Sequence, residues 1–378
     1  MSLRQDFVQI LNESHEAIWK RFDFAKSLAL GSGLAKSSAA KWKGPGEPAL
    51  AYGVMDSSTC DEIADAITKR LNGVSPGQTL ATFYFIHQKP KVDYINKANI
   101  PVQIELGDLL FIRHHFKSGS VTPEGRAFIL QAKVNTSPTT GGLSADDVKQ
   151  LELYQDWSLG FTFPHGEFGL PKNGAKWDFS QGTQSPVSQT GAYGVVLSKR
   201  QNGSLEKKFA DQCVWGVGFP DKAKILRKRP SVPADSISLA KALDGLINGG
   251  FGRTWVTNPT DQNDHWSQFI NDALSSADMK SSRASLNRIN SEVLRVQDVV
   301  SFAATIPGLL HLIDNTTSHG IFIEKAKALR LVFDWKNSLT SDGNDGPPSD
   351  SENSFAQSPP RSGMSFIYIV TFEGHKLE

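Results

Sequence analysis

The sequence predicts an α/β protein, with a central mixed sheet flanked by helices and a further mixed α/β region toward the C-terminus. Three observations carry this. Short runs rich in β-branched, aromatic and aliphatic residues recur at 79–87, 108–116, 126–134, 192–197, 212–217 and 366–372, each of strand length. Between them, apolar residues recur at helical spacing over 5–30, 59–71 and 144–157. The connection Lys117–Gly125 holds two Gly and one Pro and suits a hairpin, so the strands on either side of it are expected to be antiparallel neighbours.

In chain order, Phe7, Ile10, Leu11, Ile18, Trp19 and Phe22 form one apolar stripe along a helix over 5–30. Residues 31–49, rich in Gly, Ser, Ala and Lys, read as a loop. Thr59–Leu71 is a second helix, with Ile63, Ala66, Ile67 and Leu71 on one face and Glu62 near its start. After the three strands at 79–134, Ser144 with Asp147 three residues on marks a helix start, and that helix runs to about Trp157. Residues up to 190 are loop-like, dense in Gly, Pro, Ser and Gln. Strands at 192–197 and 212–217 precede helices at 236–246, 265–274 and 283–307, then apolar segments at 309–313 and 321–333. Residues 337–362 are polar and rich in Ser, Asp, Pro and Gly, which predicts a flexible insertion before the strand at 366–372. The expected organisation is an N-terminal helical segment (1–48), a core (49–200), an accessory α/β region (201–336), the insertion (337–362) and a C-terminal strand (363–378).

Composition bounds the function. The 378 residues include 40 basic and 39 acidic ones, for a net charge of +1, which argues against a wholesale polycation. A local basic groove for phosphates stays compatible with it. Two distant cysteines, Cys60 and Cys213, build neither a disulfide framework nor a cysteine-based metal site. A reduced, cytoplasmic setting is therefore expected. The N-terminus lacks the apolar core of a signal peptide, and no window approaches the roughly 20 apolar residues of a membrane span. No membrane partner is expected.

One polar set interrupts the apolar strands. Asp108 opens the run Leu109-Leu110-Phe111-Ile112, and Gln131 and Lys133 sit two apart near the end of the next strand, so both point to one face. A carboxylate and an amide oxygen are hard ligands suited to Mg²⁺ or Mn²⁺. Lysine is a poor ligand, but its three donors and positive charge suit a phosphate or an attacking water. On the following helix Gln150 and Tyr154 lie four residues apart, on one face.

Together these residues resemble the PD-(D/E)xK nuclease superfamily over roughly residues 55–160. Asp108 is similar to the acid of the first motif, although Gly107 stands where a Pro is common. Gln131-Ala132-Lys133 resembles the Gln-x-Lys variant of Mrr-type restriction endonucleases, and Gln150 to Tyr154 resembles the Gln-x-x-x-Tyr helix of RecB-type nucleases. Glu62 is similar to the helix-borne Glu of many members. The resemblance implies a restriction-endonuclease-like core over 49–200 and metal-dependent phosphodiester hydrolysis. The metal would be Mg²⁺ or Mn²⁺, held by Asp108, Gln131 and, through water, Glu62. Lys133 would orient the water or stabilise phosphate charge, while Gln150 and Tyr154 buttress the site or touch the strand. Gln131 in place of an acid removes one negative charge, which Glu105 or Glu62 would restore. The setting implied is bacterial defence against phage or foreign DNA, with DNA favoured over RNA and a protein activator as a possible partner.

Plainer readings compete at each position. Asp108 can be a solvated residue at a strand start, Gln131 a cross-strand hydrogen-bonder, Lys133 an exposed strand lysine, Glu62 a helix-dipole acid and Tyr154 a core tyrosine. His114 and His115 face opposite sides of a strand and cannot easily share a metal; one, His114, is kept as a phosphate contact. The run Lys222, Lys224, Arg227, Lys228 and Arg229 is either a solvated edge or a backbone contact to nucleic acid. Arg253-Thr254-Trp255 stacks on a nucleotide or packs. Two alternatives to an active nuclease stay open: an inactive nuclease fold that binds nucleic acid or protein, and an assembly protein that mimics the motif by chance.

Overall fold

Strand β5 (Glu124–Asn135) is the axis of the structure, because three other strands pair with it. The structure is a computed structural model that describes residues 2–32, 43–55, 57–72, 77–84, 91–116, 124–143, 145–164, 168–200, 209–226, 229–233, 237–257, 259–276 and 365–373. Residues 1–271 and 363–378 form one unit, and 272–362 a second, of which the described residues are 272–276, the end of a helix.

Along one edge of β5 runs β4 (Leu109–Phe116), antiparallel, from Leu109 opposite Leu130 to His115 opposite Glu124. This is the expected hairpin pairing. The other edge is shared. Strand β12 (Arg253–Trp255) pairs antiparallel with Gly125–Ala127, and β7 (Gly191–Leu197) takes over in parallel from Ile129 to Asn135. Beyond β7 lie β8 (Trp215–Gly218) and β11 (Ile237–Ser238); beyond β4 lie β13 (Ser365–Glu373), parallel to β4, and β1 (Gly77–Tyr84). Among the described residues the result is an eight-stranded mixed sheet with flanking helices, an α/β architecture as expected.

Both faces of the sheet are covered, which explains its composition. All seven residues of β7, and Leu109 to His115 of β4, are buried, so these strands read as continuous apolar runs rather than alternating ones. Helix α1 (Leu3–Ser32) buries Phe7, Ile10, Leu11, Ile18 and Trp19, the expected stripe, and Phe22 is half-buried. It packs against α2 (Glu47–Met55), α3 (Ser57–Asn72) and α5 (Leu239–Asn248). Ser238 caps α5 by accepting from the Lys241 N–H at 3.2 Å, and Gly249, with φ 80°, ends it. Helix α4 (Ala145–Gln155) follows β5. Close by, Tyr154, Trp157, Phe161, Phe179 and Phe269 form a chain of ring contacts. No helix of the described residues is long and apolar enough to cross a membrane.

Several elements depart from expectation. Helix α2 occupies the end of the expected loop at 31–49 and the stretch behind it. A short hairpin, β2 (Lys91–Ile95) with β3 (Pro101–Glu105), precedes the site, and a three-stranded sheet forms from β6 (Thr140–Gly142), β10 (Arg229–Pro233) and β9 (Lys224–Leu226). The expected boundary at 200 does not separate blocks, because strands from 201–336 and 363–378 join the same sheet as the core, whereas the expected boundary before 363 coincides with the end of the second unit. Strand pairing is non-local, and composition along the chain carries no trace of it. The helix expected at 283–307, the segments at 309–333 and the insertion at 337–362 lie outside the described residues.

Candidate active site

The β4–β5 ladder ends at Leu109 opposite Leu130, and the site begins where it ends. Asp108 donates its own N–H to the Leu130 carbonyl at 3.0 Å. One turn of the ladder further along β5, the Ala132 N–H has run out of β4 backbone. The Asp108 carboxylate takes its place as acceptor, at 2.6 Å, and also accepts from Gln131 Nε2. Asp108 therefore terminates the β4–β5 ladder with its side chain, and β5 continues past it without β4, still paired with β7, with Gln131 and Lys133 on one face.

Helix α4 closes this face. Gln150 donates from Nε2 to Gln131 Oε1 and to the Glu105 carbonyl, both at 2.7 Å. One helical turn on, Tyr154 donates its hydroxyl to the Leu106 carbonyl at 2.5 Å. Gln131, Gln150 and Tyr154 are all buried. The two helix residues thus stitch α4 to the segment that leads into Asp108, which matches the supporting half of their expected role. Gly191 permits the close approach of α4: a Cβ there would lie 2.9 Å from Trp157 and 3.1 Å from Tyr154.

Asp147 lies one turn before Gln150 on the same face. Its carboxylate sits 3.1 Å from Lys133 Nζ, and Glu47 of α2 approaches the same ammonium at 3.9 Å. Lys133 is largely buried, with 14% of its side chain exposed, and burial works against its charge. The nearby Glu47 and Asp147 carboxylates outweigh that and hold its pKa above the ordinary value. Burial acts on Asp108 in the opposite sense. It pushes the carboxyl up to about 7, and the neighbouring Glu105 carboxyl, hydrogen-bonded to it, pushes the same way. The Ala132 N–H and Lys133 only partly offset this.

Glu105, Gln131, Lys133, Asp147 and Gln150 line one cleft of about 310 Å³, with Lys91 and Lys149 at its rim. The donor set decides whether it fits a divalent cation. Asp108 and Glu105 offer two hydrogen-bonded carboxyls, hard oxygen donors that share a proton and would repel each other if both were ionised with no cation between them. No group of three His, Cys, Asp or Glu among the described residues is arranged around a metal. Mg²⁺, however, is commonly held by one or two carboxylates, with water and substrate phosphate filling the remaining positions. The pair fits such an ion.

Other expected ligands are placed differently. Gln131 turns its Nε2 to Asp108 and its Oε1 to Gln150, and Gln150, which also serves the Glu105 carbonyl, fixes that orientation. Gln131 is thus a hydrogen-bond donor to the carboxylate, not a metal ligand in this arrangement. Glu62 is exposed on α3, whose Ile63 and Ile67 take the inward side. It lines a separate cleft of about 160 Å³ with Glu13, Arg21 and Ser58, so it does not serve Asp108. His114 is no phosphate contact: it is buried beside the Trp255 ring at 4.9 Å, and burial lowers its pKa to about 3. Both histidines are buried because both faces of the sheet are covered.

The basic run is not gathered here. Lys222 ends a short 3₁₀ turn and Arg229 opens β10 in the three-stranded sheet, while Arg227 and Lys228 lie outside the described residues. Arg253 packs. It is fully buried and donates to the carbonyls of Phe179, Gln181 and Gln184. Asp147 and Glu47 were not singled out from the sequence. Asp147 read as a helix-capping acid, though its place three residues before Gln150 already put it on the site's face. Comparison of the chain with protein-family models, curated proteins and solved structures gives no match.

Proposed function

We propose that the protein is a Mg²⁺- or Mn²⁺-dependent nuclease that hydrolyses phosphodiester bonds, DNA in preference to RNA. The observation that carries this is the convergence of Glu105, Gln131 and Lys133, from two strands, on one cleft, with Asp108 hydrogen-bonded to Gln131 and Glu105 behind it and Gln150 and Tyr154 in support. The order of α3, antiparallel β4 and β5, α4, and then β7 parallel to β5 supports a restriction-endonuclease-like core. Asp108 and Glu105 would hold the ion. When bound, it supplies neutralising charge for the phosphate and a more acidic bound water. Gln131 keeps the Asp108 carboxylate in place, and Gln150 keeps Gln131 in place. Lys133 exchanges its carboxylate partners for a phosphate oxygen, where its ammonium stabilises the extra negative charge of the crowded phosphorus.

The pairing of Lys133 with Asp147 and Glu47 favours a second reading, a nuclease fold that binds nucleic acid without cleaving it. One experiment separates the two. Wild type, Asp108→Asn and Lys133→Ala are incubated with plasmid, linear and single-stranded DNA and with RNA, in Mg²⁺, Mn²⁺ or EDTA. Cleavage by wild type that EDTA and both substitutions abolish supports the nuclease. Binding without cleavage in every condition supports the second reading. Cleavage that survives Lys133→Ala refutes this site.

A further inference from the structure

The catalytic cleft does not end at Glu105. Along the outward face of the β2–β3 hairpin the cross-strand pairs are Lys91 with Glu105, Asp93 with Gln103, and Ile95 with Pro101. The inward residues Val92, Tyr94, Val102 and Ile104 are buried, so the hairpin is anchored and its outward face is a fixed surface. The first pair borders the catalytic cleft. The other two border a second cleft, of about 420 Å³, with Thr162 and Lys176 on its far side. Gln103 lines both, so the two clefts meet at that side chain.

The platform is wider than the hairpin. Thr162 pairs with Asp93 through two backbone hydrogen bonds of 2.8 and 2.9 Å, and Phe161 pairs in turn with Trp177, next to Lys176. The surface therefore crosses four extended segments from Gln103 to Lys176. Gln103 Nε2 donates to Asp93 Oδ1 at 2.9 Å, which fixes a neutral amide at the junction and ties up a carboxylate oxygen there. Lys91 and Lys149 stand exposed at the catalytic end and Lys176 stands exposed at the far end. Ile95, 36% exposed, and Pro101 give the second cleft an apolar wall. Three hairpin pairs, two residues apart, span about 13 Å along the strands.

Lysines at both ends and an apolar wall between them match a nucleic-acid strand whose unpaired bases can lie against that wall. We infer that the β2–β3 platform carries single-stranded nucleic acid from Lys176 across Gln103 into the cleft lined by Glu105, Gln131 and Lys133, beside Asp108, which makes single strands or unpaired ends the substrate class. This rests on the nuclease reading of the Asp108 cleft.

The test uses the full chain, with Ca²⁺ in place of Mg²⁺, and fluorescence anisotropy of a labelled dT 12-mer and of a 12-base-pair duplex. Wild type is expected to bind the single strand more tightly. Lys176→Glu, remote from the catalytic cleft, is expected to weaken single-strand binding several-fold. Lys176→Ala is expected to lower the slope of log affinity against log salt by about 0.7, the loss of one phosphate contact on a single strand. Circular dichroism on each variant confirms the fold, and Gln103→Ala tests the junction independently. Single-strand binding that Lys176→Glu and Gln103→Ala leave unchanged, or a preference for the duplex, overturns the platform while the nuclease reading stands. Wild type that binds neither probe overturns both.

Discussion

Replacing Asp108 by Asn should make the protein more stable at pH 8, although it removes the residue on which the site depends. Burial and the Glu105 carboxyl raise the Asp108 pKa from 3.8 to about 7 in the folded chain. The folded state therefore holds this proton more tightly than the unfolded state does. The stability tied to the proton is fully present below pH 4 and is lost as pH rises through 7. A rise of about three units corresponds to roughly 4 kcal/mol of destabilisation at pH 8. Asparagine has the shape of the carboxyl and none of its charge. Its Oδ1 still accepts from Gln131 Nε2 and the Ala132 N–H, and its amide donates toward Glu105. Urea unfolding of both proteins without divalent metal, at pH 4.5 and pH 8, reads the difference. The two should nearly coincide at the lower pH, with the variant more stable by a few kcal/mol at the higher. Added Mg²⁺ should then stabilise the wild type and leave the variant almost unmoved. A variant equal to or weaker than wild type at pH 8 would show that Lys133 and the Ala132 N–H fully satisfy the carboxylate, and the argument for a cation between Asp108 and Glu105 would fail.

Three further perturbations follow from the same structure. His114, buried and held down to about 3, is uncharged in the folded chain, so the unfolded chain binds the extra proton as pH falls below about 6.5. His114→Phe should flatten the loss of stability between pH 6 and 4 by up to about 1.4 kcal/mol per pH unit; because Asp108 acts in the opposite direction over this window, the variant-minus-wild-type difference is the quantity to read. Gly191→Ala drives a methyl into Trp157 and Tyr154 and should cost about 1–3 kcal/mol by overpacking, with a drop in nuclease rate larger than that seen for a substitution elsewhere in β7. Arg253→Met strips the donors from one buried and two part-buried carbonyls at 179–184 and should lower stability by about 1–3 kcal/mol in the same urea assay, and an unchanged midpoint would refute its role as a clamp on that loop.

The legible part of this protein was the part built from local pattern. β4 and β5 announced themselves as apolar runs, and the period of two put Gln131 and Lys133 on one face. Helix period put Gln150 and Tyr154 on another, and the structure brings the two faces together. What failed was whatever depends on neighbours distant in sequence. β13 reaches its place between β1 and β4 from more than 200 residues away. The β2–β3 hairpin has strands of five residues each, too short and too charged to stand out, although Lys91 to Ile95 does alternate. His114 was misplaced because alternation implies one solvated face, whereas both faces of β4 are buried here and the Trp255 ring lies against His114. Gln131 was misread for a different reason. Its residue type is compatible with ligation, but the direction of an amide is set by its partners, and Gln150 could not be located against Glu105 from sequence alone.

Charge around the cleft connects these findings. Asp108, Glu105, Asp147 and Glu47 gather near one ammonium, Lys133. An acid at position 131 would have added a fifth carboxylate to a half-buried pocket whose inner ammonium, Lys133, already faces Asp147 and Glu47, while Lys91 and Lys149 stand at the rim, and it would have carried a desolvation cost. A neutral amide avoids that cost, and its N–H also satisfies Asp108 while the cleft is free of cation. In the proposed site the acidic charge that a cation needs would be supplied instead from Glu105, at the end of the strand that carries the proposed substrate path. On this view the amide at 131 is no defect in a metal site. It marks a site whose second carboxylate comes from β3, and whose Lys133 rests against Asp147 and Glu47 until a phosphate takes their place. In the proposed nuclease the same arrangement would link substrate entry to catalysis, because a strand crossing the β2–β3 platform would arrive first at Glu105.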